Sequence, residues 1–323
     1  MAVVDSVDRA VAVEEPDEIL LHATGLSTLL MCPRSYYYES VLNLRSPMPS
    51  EKLDAGGVTH KALEFFYRTG ADPAQVLEAF DQAAEDATEK IRKQVGGEVS
   101  EEGLAKIDKE RLVCRKSLAA YLPWAIENDS AWWKTVHYIE QRFKVPVLDY
   151  ETGEPMVLRG VPVYHVGTFD LVVEDDFGFL WIVDHKTAKA FPGEAEIQLN
   201  LQFGLYLLAA RYLWPDRRFA GLIYNGLKKV DPGRASTATY LRQSVRKNEA
   251  QLTALGHRLS YSMAPHAVLG PYDPHPGSHC GWRCPYTSLC LATERGDDWG
   301  AIATKLFVAR SRDAEEVLEE GGE

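Results

Sequence analysis

Asp170, Asp184 and Lys186 are of the types, and at the spacing, that could hold a divalent cation and activate water beside it. Asp170 lies within Gly167-Thr168-Phe169-Asp170-Leu171-Val172-Val173, and Asp184 ends the run Leu180-Trp181-Ile182-Val183-Asp184. Both runs read as strands, being rich in β-branched and aromatic residues. A carboxylate inside a buried strand is costly unless it is paired or bound to metal. The turn between the runs reads as Asp175-Asp176-Phe177-Gly178. A loop of odd length centred on Phe177 sets Asp170 directly opposite Asp184, with Cβ atoms ~4.5–5.5 Å apart on one sheet face. Two anions so placed repel each other unless a cation lies between them. Lys186 is two residues beyond Asp184 and projects from the same face. This convergence is what a hydrolytic metal centre requires. A loop of even length would instead put the aspartates on opposite faces, leaving two strand-end residues and a salt bridge to the lysine.

A second set is sulfur-based. Cys280, Cys284 and Cys290 fall within HCGWRCPYTSLC, and Cys32 lies far upstream in MCPRSYYY. Together they read as one metal site closed from both ends of the chain, and four thiolates suit either an iron–sulfur cluster or zinc. The N-terminal stretch is acidic and does not read as a signal peptide. A cytoplasmic location is therefore expected, where thiols stay reduced and a cysteine group reads as metal-binding before disulfide. Cys114, in RLVCRKSL, reads as a buried hydrophobe. His60 and Glu64 are neighbours on one helix face, and a lone histidine there is more often a structural hydrogen-bonder than a ligand. Gln198, Gln202 and Tyr206 form a polar stripe on an otherwise apolar helix, suited either to core hydrogen bonding or to lining a cleft.

The elements that must position these residues are legible in outline. A chain of 323 residues, 46% hydrophobic and 25% charged, has the composition of a globular protein. No apolar run is long enough to span a membrane. Helices are expected over 24–40, 55–69, two longer amphipathic stretches between 72 and 128, one apolar helix over 195–213, and a last one over 244–263. Strands occupy the middle of the chain, and FAGLIYNGLKKV with ASTATYLRQ reads as a hairpin around Asp231-Pro232-Gly233. The net charge of −12 argues against nucleic acid at first sight, but acidic residues crowd residues 1–20 and 313–323 and leave the body almost neutral. Such ends read as solvated and disordered. Arg217, Arg218, Lys228, Lys229, Arg242, Arg246 and Lys247 could contact phosphates. Trp132, Trp133 and Tyr36 could stack on unpaired bases or simply pack in the core.

The ordered set HKALE, GTFDLV, VDHKT and QFGLY resembles the PD-(D/E)XK nucleases of the RecB/AddB type. The opening LSTLLMCPRSYYYE and the closing cysteines resemble the branch that carries an iron–sulfur cluster, which includes CRISPR-associated RecB-like exonucleases. The resemblance spans about residues 24–292. It implies an α/β fold, with a restriction-endonuclease-like mixed central sheet flanked by helices, a helical insertion, and terminal segments joined by the cysteine cluster. The implied organisation is a disordered acidic arm over 1–20, a nuclease domain over 21–295 with its insertion near 70–130, and a C-terminal helix and acidic tail over 296–323.

The resemblance also implies a metal-dependent deoxyribonuclease, an exonuclease acting in recombination, repair or end processing. Asp170, Asp184 and His60 would be metal ligands together with the main-chain carbonyl of His185, and the metal would be Mn²⁺ or Mg²⁺. Lys186 would orient or activate water, and Gln202 and Tyr206 would support the lysine and contact DNA. Cys32, Cys280, Cys284 and Cys290 would hold a 4Fe-4S cluster, with zinc the alternative. The closing cysteines read C-x3-C-x5-C where the family more usually has C-x2-C-x5-C, and His279 is an adjacent substitute for Cys280. Glu140, in HYIEQRF, is a weaker match with no assigned role. DNA, as single strands or ends, is the implied partner, with recombination or CRISPR adaptation proteins beside it and no membrane. Two other classes compete with this reading: a non-catalytic DNA-binding module that keeps the nuclease fold, and a zinc-stabilised interaction protein.

Overall fold

The structure, a computed structural model, describes residues 17–45, 53–95, 99–234, 239–282 and 284–309. The acidic arm, apart from its last residues, and the acidic stretch over 313–323 lie outside these. In chain order the strands are β1 (Ile19–His22), β2 (Leu44–Arg45), β3 (Thr135–Pro146), β4 (Val157–Leu158), β5 (Val161–Glu174), β6 (Leu180–Ala188), β7 (Phe219–Lys228), β8 (Tyr240–Val245) and β9 (Val308–Ala309). The helices are α1 (Ala23–Met31), α2 (Pro33–Tyr36), α3 (Ala55–Thr69), α4 (Pro73–Val95), α5 (Glu101–Asn128), α6 (Glu194–Gln198), α7 (Leu201–Leu213), α8 (Glu249–Arg258), α9 (Ala264–Leu269), α10 (His279–Trp282), α11 (Thr287–Arg295) and α12 (Trp299–Leu306). Among the described residues no helix is long and apolar enough to cross a membrane.

The chain divides into two compact units. One comprises Pro49–Val145 and Gly167–Thr253, the other Met1–Met48, Pro146–Val166 and Ala254–Glu323. The first is built on a hairpin whose register a single turn decides. Asp175 Oδ1 accepts from the amides of Phe177 and Phe179, both at 2.9 Å, and its Oδ2 accepts from the Trp181 indole at 2.9 Å. This turn sets a loop of odd length. β5 and β6 therefore pair from Glu174↔Leu180 to Leu171↔Val183, centred on Phe177, and Asp170 and Asp184 are the residues just beyond the end of that ladder. β6 runs parallel to β7, and β7 antiparallel to β8, so the sheet is mixed.

Alternation along the strands gives each sheet face its own core. Val172, Ile182, Leu222 and Tyr224 pack with Phe203, Leu207 and Ala210 of α7. Leu171, Val173, Trp181, Val183 and Ile223 pack with Trp133. A third cluster joins α3, α4 and α5 through Leu63, Phe80, Leu118, Tyr121 and Leu122. Each large side chain so buried contributes roughly 1.5–3 kcal/mol relative to exposure. α3 begins where Asp54 accepts from the Gly57 amide at 3.0 Å and ends at Gly70, which takes a left-handed conformation. The apolar stretch over 194–213 is not one helix. It breaks at Leu199, and Asn200 caps α7 by accepting from the Gln202 amide. The competing cap explains the break.

In the other unit β1 runs parallel to the first half of β5, fixed by His165 Nδ1 donating to the Leu21 carbonyl at 2.9 Å. Extended backbone at Cys32 separates α1 from α2, and a π-helical turn over Tyr37–Val41 follows. The helix read over 24–40 is thus interrupted just before Pro33. β2 pairs with β9, and Tyr38, Leu42, Leu44, Tyr286 and Leu289 form a small core beside them.

The β6–β7 register shifts at Leu180/Trp181, and Gly221 occupies the irregularity with φ of 156°. A Cβ there would collide with the Val245 carbonyl oxygen on β8. Gly221→Ala is expected to destabilise the protein by about 1–3 kcal/mol, or more if the backbone cannot shift. Chemical denaturation of the variant beside the wild type measures this.

Candidate active site

Three elements carry the titratable side chains of the first unit to one place. β5 supplies Asp170, β6 supplies Asp184 and Lys186, and α3 supplies His60. His60 Nε2 donates to the His185 carbonyl at 2.8 Å, while its Nδ1 lies 3.5 Å from Asp170 Oδ1. Asp170 Oδ2 accepts the His185 amide at 2.6 Å. Asp184 Oδ1 accepts from Lys186 Nζ at 2.8 Å, and Asp184 Oδ2, fully buried, has no hydrogen-bond partner among the described residues.

Glu140 joins this group. His60, Glu140 and Asp170 each offer a ligand atom within 4.8 Å of the others. Glu140 stands in the middle of β3 with φ of 49°, a left-handed conformation that is rare for a non-glycine residue in a strand. Such backbone persists where the surroundings over-determine it, and it gathers at functional positions. From the sequence Glu140 had no assigned role; its signal was a weak resemblance of HYIEQRF to the family.

The electrostatics follow from burial and mutual proximity. For His60, burial opposes charge, but the hydrogen bond and charge of Asp170 outweigh it and hold the ring up at about 9. Burial would also raise Asp170, yet the bond and charge of His60 keep it below the ordinary carboxylate range. Asp184 is held up at about 6, by burial first and by the charge of Asp170, against the pull of Lys186. Burial and then the charge of Asp170 push Glu140 up to about 7. Lys186 is raised because Asp184 and Asp170 outweigh its burial.

Gln202 Nε2 donates to the Tyr206 hydroxyl at 2.8 Å, so these two α7 residues form a pair. Tyr206 is pushed up to about 12 by burial and by the charge of Asp184. Gln198 leaves the expected stripe, since it lies on α6 and bonds the Ser244 carbonyl. The expected basic set also divides. Arg242 is buried in an ion pair with Asp129 and sandwiched between Trp124 and Trp133, which removes it from phosphate contact and places Trp133 in the core. Arg217 pairs with Glu174, and Lys229 with Glu110. Tyr36 and Cys114 are buried. A network that sequence reading missed lies behind His185: Asn225 Nδ2 approaches His185 Nδ1 at 2.7 Å, and Arg242 Nε donates to Asn225 Oδ1 at 2.8 Å.

The four expected cysteine ligands lie in the other unit, all as free thiols. Burial raises Cys290, Arg34 Nη1 at 3.7 Å lowers it, and Cys32 and Cys284 are near enough to raise it further. Among the described residues no three of the sulfurs lie within 4.8 Å of one another.

The donor set suits a divalent cation. It offers one imidazole and carboxylate oxygens from Glu140 and Asp170, a mixture that oxygen-preferring Mg²⁺ and the more nitrogen-tolerant Mn²⁺ both accept; Asp184, outside that trio, keeps Oδ2 unpartnered among the described residues.

No curated protein matches the chain. The crystal structure of SSO0001 is similar to it at 14% identity, covering 90% of this chain and 93% of that one, with a TM-score of 0.36. The profile of the PD-(D/E)XK nuclease superfamily matches residues 21–291, which hold Asp170, Asp184, Lys186 and the group around them. This chain belongs to the PD-(D/E)XK nuclease superfamily.

Proposed function

We propose that this protein is a cytoplasmic, metal-dependent DNA exonuclease of the RecB/AddB type, acting in recombination, repair or end processing. The grouping of His60, Glu140 and Asp170, with the Asp184–Lys186 pair acting on it electrostatically, carries the reading. These residues, with the His185 carbonyl, would hold Mn²⁺ or Mg²⁺. Such an ion polarises the scissile phosphate, lowers the pKa of water and stabilises the leaving oxygen. Lys186, tethered to Asp184, orients the attacking water and adds positive charge where the phosphate's charge grows. Asp170 orients His60, and Tyr206, held by Gln202, borders the lysine side of the site. Residues 21–295 form the nuclease region on this reading.

Cys32, Cys280, Cys284 and Cys290 are proposed to hold a structural 4Fe-4S cluster. Zinc would draw four sulfurs to within ~4 Å of one another. The likeness of LSTLLMCPRSYYYE and the closing cysteines to the cluster-bearing branch favours iron–sulfur over zinc.

Digestion of end-labelled single- and double-stranded DNA with Mn²⁺ or Mg²⁺, and with chelator, tests the activity. Metal-dependent shortening from an end is expected. Lys186→Ala is expected to lower turnover by about 10²–10⁴-fold with the fold intact by circular dichroism. Cleavage near the wild-type rate would remove the lysine from the mechanism.

Metal binding should be proton-linked. A ligand must shed its proton to bind, and His60, Glu140 and Asp184 titrate at about 9, 7 and 6, above or near neutral pH. Affinity for Mn²⁺ is therefore expected to rise from pH 6 to pH 9 and level off above it. Titration calorimetry at pH 7 in buffers of different ionisation enthalpy should show proton release, and buffer-independent heats would contradict the assignment.

Cys32→Ala is expected to give unstable protein without the visible absorbance of an iron–sulfur cluster. A stable, coloured variant would exclude Cys32 as a ligand.

A further inference from the structure

Beside Lys186 lies a cleft of about 430 Å³ that the catalytic reading leaves unused. The sheet register creates it. Asp184 pairs with Tyr224 and Lys186 with Gly226 across β6 and β7, so these four positions share one face. At Gly226 a Cβ would lie 2.7 Å from the Tyr224 ring and 2.9 Å from the Phe191 ring. The missing side chain is what lets Phe191 fold in beside Tyr224. Lys228 Nζ sits 5.0 Å from the centre of the Phe191 ring.

The remaining walls are chemically distinct. Phe203 and Pro192 are apolar, while Asn200 and Glu196 are polar. Asn200 uses its Oδ1 to accept from the Gln202 amide at 2.9 Å, which leaves its amide hydrogens to donate. Lys186 belongs both to the cleft and to the carboxylate group. The charges of Asp184, Lys186 and Glu196 all act on the Tyr224 phenol, which burial raises first.

We propose that this cleft is a subsite for one unpaired nucleobase of the strand being cut, the base adjoining the scissile phosphate. The proposal rests on the reading of the site as a DNA nuclease. Phe191 supplies a ring face on which any base can stack, and the Lys228 cation lies over that ring. Asn200 and Glu196 meet base-edge acceptors and exocyclic amines. The volume suits a single small group. A base that enters it must leave its pair, so the subsite favours single strands and frayed ends over closed duplex.

Two readouts test this. In the first, a single abasic nucleotide is walked along a single-stranded oligonucleotide. One position next to the cleaved bond should lower kcat/KM about 10- to 100-fold. Phe191→Ala should lower kcat/KM on intact DNA to a similar degree, mostly through KM, and should erase the abasic penalty; Phe191→Tyr should restore both. Equal abasic penalties in wild type and Phe191→Ala, or unchanged KM in that variant, would overturn the subsite while leaving the nuclease reading in place.

The second readout is independent of cleavage. Wild-type protein should quench an oligonucleotide carrying 2-aminopurine when that base occupies the cleft, and Phe191→Ala should not. Quenching without any metal-dependent cleavage would defeat the nuclease reading, and with it the placement of the base beside a scissile phosphate, while leaving a base-binding cleft. Equal quenching by both proteins would defeat the subsite.

Discussion

Asp170 and Asp184 bring two carboxylates into a nearly dry layer on one face of a hairpin, and the surrounding residues answer what those charges need. Leaving a buried charge unpaired costs about 3–5 kcal/mol. The two are treated unequally. Asp170 has the His185 amide on one oxygen and His60 near the other, and it stays ionised. Asp184 has Lys186 on one oxygen and no partner on the second among the described residues, and its pKa is held up. That asymmetry gives one carboxylate a fixed orientation and the other a ligand atom ready for a cation. The same need for positive charge accounts for Lys186 and His60 within one small volume.

The peptide at His185 is the hinge of this arrangement, because its N–H serves Asp170 and its carbonyl serves His60. Its orientation is set from behind. Arg242 lies 4.6 Å from both the Trp124 and Trp133 rings, pairs with Asp129 and bonds Asn225. Asn225 donates to His185 Nδ1, which fixes the tautomer with its proton on Nε2. Burial holds that ring neutral, with a pKa of about 3. Tyr67 stacks on it at 5.6 Å with an interplanar angle of 11°. A buried cation is costly, and here Nε and Nη2 are bonded while Nη1 has no partner among the described residues; the network backs a backbone unit that Asp170 and His60 share.

How much of this could be read from sequence depends on the range of the determinant. The hairpin register followed from local chemistry, since Asp175 closes its own turn and forces the odd loop that pairs the flanking strands about Phe177. α3 was legible over its full length because Asp54 and Gly70 mark its two ends. The apolar run over 194–213 misled, because its periodicity passes smoothly over Asn200 and hides a cap. Arg242 looked like a surface cation. Only the tertiary meeting of α5, β7 and β8 shows that it is enclosed by Trp124, Asp129 and Asn225. Glu140 was hardest to read, since its left-handed φ comes from packing that leaves no trace in a strand-like pattern.

The proposed cluster follows a different logic from the carboxylates. Its four cysteines lie in the unit assembled from three separate stretches of chain, whereas the carboxylates proposed as ligands lie in the other. Those stretches are tied by the β1–β5 ladder and the small core around Tyr38 and Tyr286, and also by modest contacts: a two-residue β2–β9 ladder, a hydrogen bond from the Tyr286 hydroxyl to the Leu44 carbonyl at 2.8 Å, and an Arg34–Glu294 pair whose acid is largely exposed. An exposed pair of that kind contributes about 0–1 kcal/mol. A cross-link gains with the length of the loop it closes, roughly 4–5 kcal/mol for 100 residues, and the loop from Cys32 to Cys280 is far longer than that. A site joining these cysteines would therefore add to the packing that already holds the stretches together. Arg34, 3.7 Å from Cys290, pulls that thiol down but does not outweigh the burial that raises it.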